Sequence, residues 1–289
     1  MTRTLILLNV LFLLSCNHKH HPESERTIVY IKNDTIQIPW NNEIVGYVYY
    51  DDNGKAGLLD ENKKLILEPH FDYIENWLQE GVLQVDSGGY RFWEVDYGGY
   101  VFKKMGLISL NGKIIFRPQF DELYISDNSA LIKVDSLFGY VDLKGNWLIS
   151  PKYKYAERFE KGAAVVKNEG KFEIINKAGN KIINESFDEA LGFKNGVTVV
   201  RKGEQYGFIN YRGKYLLPLS NYLSIGEYNW YHGQFQAADK KYYLIDTAGY
   251  VPVKAGFDEV RVANEKDTIY AVGTSNKKKL KVIIGLNSR

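Results

Sequence analysis

The stretch Gln205–Pro218, QYGFINYRGKYLLP, decides the fold, because the chain keeps returning to it. An aromatic residue and a glycine open it, and a short apolar run follows. A polar turn then ends in glycine, and a second apolar run stops at proline. The same order stands at Lys55–Pro69, Met105–Pro118, Phe138–Pro151, Phe172–Glu185 and Tyr242–Pro252. The opening position is held in turn by Gly57, Gly106, Gly139, Glu173, Gly207 and Tyr243, in steps of 49, 33, 34, 34 and 36 residues. A period near 34 with one longer step is the signature of a repeat array.

Each unit has the chemistry of a β-hairpin. In Phe138–Pro151 the runs Tyr140-Val141 and Trp147-Leu148-Ile149 are aromatic, β-branched or apolar, as pleated strands prefer. Between them, the side chain of Asp142 can bond its own backbone two residues on, and Gly145 accepts a positive φ at no steric cost. That second glycine recurs as Gly112, Gly145, Gly179, Gly213 and Gly249, with Lys63 as the exception, which predicts a tight hairpin with a glycine bulge. Pro69, Pro118, Pro151 and Pro218 cannot donate to a ladder and predict strand ends or exposed edges. An aromatic-Asp step follows (Phe71-Asp72, Phe120-Asp121, Phe187-Asp188, Phe257-Asp258, with Tyr153-Lys154 as a variant). A glycine and a further apolar run, such as Gly162–Val166, close the unit. Three or four short strands per unit are expected.

The pattern Phe138-Gly139-Tyr140-Val141-Asp142, Gly145, Ile149, Pro151, Tyr153, then Phe159 and Gly162–Val165, resembles the WG-repeat (KWG-repeat) family of bacterial β-rich proteins. The resemblance covers about six units, from roughly residue 45 to 285. No unit keeps the family's tryptophan before glycine: Ala56, Met105, Phe138, Phe172, Tyr206 and Tyr242 replace it. The resemblance implies an all-β tandem array of about six hairpin or meander repeats of roughly 34 residues, an open β-solenoid or a propeller-like form. It implies structure and binding, with no defined reaction and no cofactor.

At the N-terminus, Met1–Thr4 carries one positive charge, and Leu5–Leu14 is apolar except for Asn9. Ten residues are too few for a permanent membrane helix and fit the centre of a secretory signal. Leu13-Leu14-Ser15-Cys16 resembles the lipobox of bacterial lipoproteins, and Cys16 is the only cysteine, so no internal disulfide can use it. The expected organisation is a removed signal at 1–15, a lipid-anchored tether at 16–39, and a repeat domain at 40–289 with an insertion at 86–104. Attachment to a membrane through lipidated Cys16 would place the protein in the cell envelope, periplasmic or surface-exposed. His18, His20 and His21 sit in the tether without the preorganisation a metal site needs, so no metal is expected there. Within the tether, Thr27–Pro39 alternates and can supply a first strand or a hairpin around Lys32–Asp34.

The charge balance, 37 basic against 35 acidic residues, gives no field for steering nucleic acid, so no nucleic-acid partner is expected. The basic run Lys277-Lys278-Lys279 with Lys281 reads as a solvated hairpin tip. Asp86–Lys104, DSGGYRFWEVDYGGYVFKK, accounts for the extra fifteen residues of the long step (49 − 34). Its Arg91, Trp93, Tyr97 and Tyr100 suit stacking on a sugar or gripping a protein. The alternative is an extra hairpin filling a groove, with Phe92 and Val95 turned inward. A second aromatic cluster, Tyr228, Trp230 and Tyr231, breaks the repeat's economy in the same way and is a second candidate surface; the two are expected to form the ligand-facing part of the array.

Catalytic constellations are sparse. The pairs Asp121-Glu122, Asp188-Glu189 and Asp258-Glu259 look like glycosidase carboxylates, but they recur at one place in the repeat, which points to scaffolding. His70 and His232 have no nucleophile or ligand partner at a motif spacing, and no G-x-S-x-G, H-E-x-x-H or Walker-type loop is present. A non-catalytic binding module gripping a protein or glycan is the first reading. An envelope polysaccharide hydrolase and a purely structural spacer are the alternatives.

Overall fold

A computed structural model describes residues 35–286 apart from 94–97, 227–231, 247, 252 and 266–267. The described chain forms seven antiparallel sheets of three or four strands, plus one two-stranded ribbon. The third sheet shows the plan: strands Glu122–Ser126, Ser129–Val134, Leu137–Asp142 and Trp147–Tyr153 lie side by side in chain order. The sequence unit and the sheet are out of phase. Each motif hairpin makes the third strand of one sheet and, in four of the six, the fourth, and the residues that follow it make the first two strands of the next. Six motif units therefore generate seven sheets, the last (Glu259–Glu265, Thr268–Ser275, Lys278–Leu286) having no motif hairpin of its own.

The domain boundary expected at residue 40 falls inside the first strand, Ile36–Trp40. Its alternation buries Ile38 in the first sheet's core, so the repeat domain is under way by Ile36. The hairpin expected around 32–34 lies outside the described residues.

The opening glycine decides whether a sheet has four strands. At Gly57, Gly106, Gly139 and Gly207 an added Cβ would lie 2.6, 2.4, 2.6 and 2.8 Å from a carbonyl oxygen of the adjacent fourth strand. All four sheets with this glycine have that fourth strand, an edge strand in which the closing proline sits at a register shift. Proline is tolerated there because an edge position needs no ladder donor. Glu173 and Tyr243 replace the glycine in the fourth and sixth sheets, and each keeps three strands, with isolated bridges in place of the fourth. In the fourth sheet the Glu173 carboxylate is buried and pairs with Lys181 at 2.7 Å.

The turns follow the predicted chemistry. Asp142 Oδ1 accepts hydrogen bonds from the amides of Lys144 and Asn146, at 2.9 and 2.8 Å. Asp60, Asn176, Asn210 and Asp246 do the same in their own turns. Gly145, Gly179 and Gly213 have φ of 106°, 79° and 77°, and Lys63 takes the same left-handed conformation at 62°.

Hydrophobic packing joins neighbours in series. Six buried clusters link consecutive sheets, from Val48, Leu58 and Leu83 between the first two to Leu244, Phe257 and Ala271 between the last two. The aromatic residue of each aromatic-Asp step is a core plug, with Phe71, Phe120, Tyr153, Phe187 and Phe257 all buried. Each such side chain contributes about 1.5–3 kcal/mol.

The aspartate of the step is a clasp. Asp72, Asp121, Asp188 and Asp258 pair with Lys55, Lys104, Lys171 and Lys241 at 2.5–2.6 Å, each lysine standing just before its unit's opening pair. The second carboxylate oxygen accepts an amide from the hairpin tip between the next sheet's second and third strands: Gly88, Asp135, Gly203 and Lys277. In the third sheet both partners are lost together, to Leu137 and Lys154. The neighbouring Glu122 and Glu189 form cross-strand ion pairs with Lys133 and Arg201. The recurring acids thus hold the array together.

Candidate functional site

A four-stranded meander has two ends. The loop joining strands one and two and the turn joining strands three and four share one end, called here the turn end. The tip joining strands two and three opens at the other, the tip end. The turn ends of successive sheets are stitched together. Asn128 N donates to Glu80 (2.7 Å), Gly162 N to Asp127 (2.7 Å), Gly196 N to Glu160, and Lys161 Nζ to the Asn195 carbonyl (3.2 Å).

The insertion grows from the tip end of the second sheet. Strands Val82–Ser87 and Lys104–Ser109 pair directly, ending at Ser87↔Lys104, so the repeat closes beneath the insertion as though it were absent. Beyond that closure Tyr90–Trp93 pairs antiparallel with Gly98–Val101 as a separate ribbon. Arg91 is the register partner of Tyr100, and Trp93 that of Gly98. The insertion therefore contains an extra hairpin, paired as a ribbon of its own. Tyr97 and Val95 lie outside the described residues.

Asp86 anchors the ribbon's base. It is fully buried, and its carboxylate accepts the amides of Gly89 (2.7 Å), Lys103 (2.8 Å) and Lys104 (3.0 Å). Gly88, with φ 83°, turns the chain outward while its amide is held by Asp72 at 2.6 Å. Phe102 packs edge-on against Tyr73 at 5.7 Å. A buried carboxylate is stable only when its lone pairs are satisfied, and three backbone donors do so here. Such a base fixes where the ribbon leaves the array.

Tyr228, Trp230 and Tyr231 lie outside the described residues, as does Cys16. The strand ends that bracket 227–231, Ile225 and His232, are at the turn end of the sixth sheet, since His232 pairs with Asp246 at the start of the turn. The strand ends that flank the two aromatic segments thus lie at opposite ends of their sheets.

The most exposed aromatic among the described residues escaped the sequence reading. Trp77, 63% exposed, stands in the turn-end loop of the second sheet, beside the buried Leu78. Arg158 and Gly192 hold the equivalent outward position next to the buried Phe159 and Phe193. Aligning those loops on their Gln79, Glu160 and Lys194 bridges is the signal that finds it.

The family model for the WG containing repeat matches residues 57–90, 105–137, 138–172 and 174–206. The chain belongs to the WG-repeat family. The break between the first two matched WG repeats, residues 91–104, falls within the insertion, so all of the ribbon beyond Tyr90 lies outside the matched units. No curated protein matches the chain. Among solved structures, Kluyveromyces lactis Hsv2 is similar at 9% identity and a TM-score of 0.35, covering 84% of this chain and 94% of that one. The WD40 beta propeller domain of Doa1 is similar at 8% identity and a TM-score of 0.27, covering 81% and 87%. Scores this low transfer nothing to this WG-repeat chain, whose all-β repeat fold stands on its own sheets.

Proposed function

We propose that this WG-repeat chain is a membrane-anchored, non-catalytic interaction module of the bacterial cell envelope that grips a protein or glycan. The observation that carries the reading is the ribbon at Tyr90–Val101, projected from a sheet that closes without it and seated on a buried, fully bonded Asp86. A strand pair that the sheet's own pairing does not need, held at a fixed root, is suited to recognition. The recurring carboxylates are engaged in clasps and cross-strand pairs, which favours binding over hydrolysis. Anchoring rests on the Leu13–Cys16 run alone.

Trp93→Ala and Arg91→Ala test this reading in native cells by crosslinking and recovery of partners. Interface anchors of this kind cost about 2 kcal/mol or more on truncation, roughly a thirtyfold loss of capture. Melting curves unchanged from wild type together with that loss are expected. Stable variants with undiminished recovery would overturn the binding role, and turnover of peptidoglycan would overturn the non-catalytic one. Cys16→Ala is expected to move the protein from membrane to soluble fraction, and persistence in a salt-washed pellet removes the anchor.

A further inference from the structure

Six times along this chain one sheet packs its forward face on the backward face of the next. The first and last sheets each keep one such face that no described cluster covers.

In the first sheet, Val48, Ala56 and Leu58 face the second sheet. On the other side stand Tyr47, paired with Leu59, and Tyr49, paired with Gly57. In the third sheet the equivalent positions, Ala130 paired with Val141 and Ile132 paired with Gly139, pack against the second sheet. Tyr47, Tyr49 and Leu59 therefore hold a backward face with no sheet behind it among the described residues, and Leu65 at its margin is 47% exposed. The face is tyrosine-rich and acidic. Glu68 and Asp51 are near enough to add to burial in pushing the Tyr49 hydroxyl upward. Lys63, over the Tyr47 ring at 5.3 Å, is the group of contrary sign.

In the seventh sheet, Val260, Leu280, Val282 and Ala271 pack against the sixth. The opposite, forward face carries Arg261, Val272 and Lys281 in one register row, and Glu259, Thr274 and Lys279 in the next. Lys279 and Lys281 are exposed, and Ile283 beyond them is 61% exposed. Lys281 Nζ lies 4.1 Å over the Tyr270 ring, so this face already holds a cation on an aromatic surface.

We infer that the forward face of the seventh sheet docks on the backward face of the first sheet of a second copy, so that the chain associates head to tail. The joint continues the one built six times within the chain. Its chemistry is complementary: Arg261, Lys279 and Lys281 meet the rings of Tyr47 and Tyr49 and the carboxylate of Glu68. Because the two faces differ, the contact is heterologous and leaves one face of each kind free at the ends of any open assembly.

Sedimentation velocity of the full chain in density-matched mild detergent tests this. Mass should rise with protein concentration and fall with added salt. Lys279→Glu with Lys281→Glu, and separately Glu68→Lys, all at exposed sites, should each weaken self-association at least about tenfold. Each variant retains one intact face and the altered faces carry opposite charge, so mixing the two should restore the association that neither shows alone. A wild-type chain that stays monomeric at all concentrations overturns the inference, as does assembly unaffected by either variant or a mixture that remains monomeric. A monomer whose own first and seventh sheets crosslink would assign the two faces to ring closure instead.

Discussion

The third and fourth sheets are neighbours built from units of the same length, yet one has four strands and the other three. The difference is one position. Gly139 lets the Ile149 carbonyl and Pro151 nitrogen approach to where a Cβ would be 2.6 and 2.7 Å away. Glu173 fills that space, buries its carboxylate against Lys181, and leaves the chain crossing the sheet through isolated bridges at Lys181 and Phe187. The family's glycine is thus a steric permit for a bulged edge strand, and its conformational freedom is secondary: among these openers none has a positive φ.

Gly139→Glu is the direct way to break that comparison. Its Cβ meets backbone on the facing strand, so the edge strand must detach, and a loss of about 3 kcal/mol or more in urea denaturation is expected. Stability equal to wild type would dissolve the link between glycine and fourth strand. Gly145→Val sharpens it, because there an added Cβ finds its nearest neighbour 3.6 Å away and only the φ of 106° opposes the substitution. A smaller loss, about 1–3 kcal/mol, follows from that strain alone, while Lys144→Ala beside it should stay within about 0.5 kcal/mol.

The smallest effect concerns the clasps, which the third unit has lost and the fourth has kept. The Lys171 ammonium, then the Gly203 amide, hold the Asp188 carboxyl below the usual range, and Lys104 and Lys241 do the same for Asp121 and Asp258. A carboxyl depressed by folding adds stability that is complete above its unfolded value, about 3.9, and is lost as pH falls through the lower folded value. The melting temperature should therefore decline between about pH 5 and pH 2, and more gently in Asp188→Asn. Equal slopes would show that these exposed pairs contribute nothing, as many surface pairs do.

Much of this was legible in the chain itself. The period, the turn glycines, the edge prolines and the place of the insertion all follow from local chemistry, which a sequence displays directly. What stayed hidden joins residues far apart in sequence. The Lys–Asp clasp spans 17 residues, and its second oxygen reaches a tip another 14 to 19 residues on. Asp86 reads as one acid among many until its three amides are seen to converge. Trp77 reads as one more core residue because its apolar neighbour Leu78 is one. The end of a sheet at which each loop emerges depends on counting strands, and the two-residue strands that open several sheets are too short to count from composition.

The half-sheet offset between motif and sheet bears on how such a gene can grow. A duplicated stretch of one period begins in the third strand of one sheet and ends in the second strand of the next. Both of its cut points then fall at the same place in the meander, the tip between the second and third strands. An extra copy brings matching halves to a pre-existing seam, and the flanking sheets are completed without redesign. Recombination between repeats can thus lengthen or shorten the array in whole sheets, and the same seam is where this chain accepted the Tyr90–Val101 ribbon.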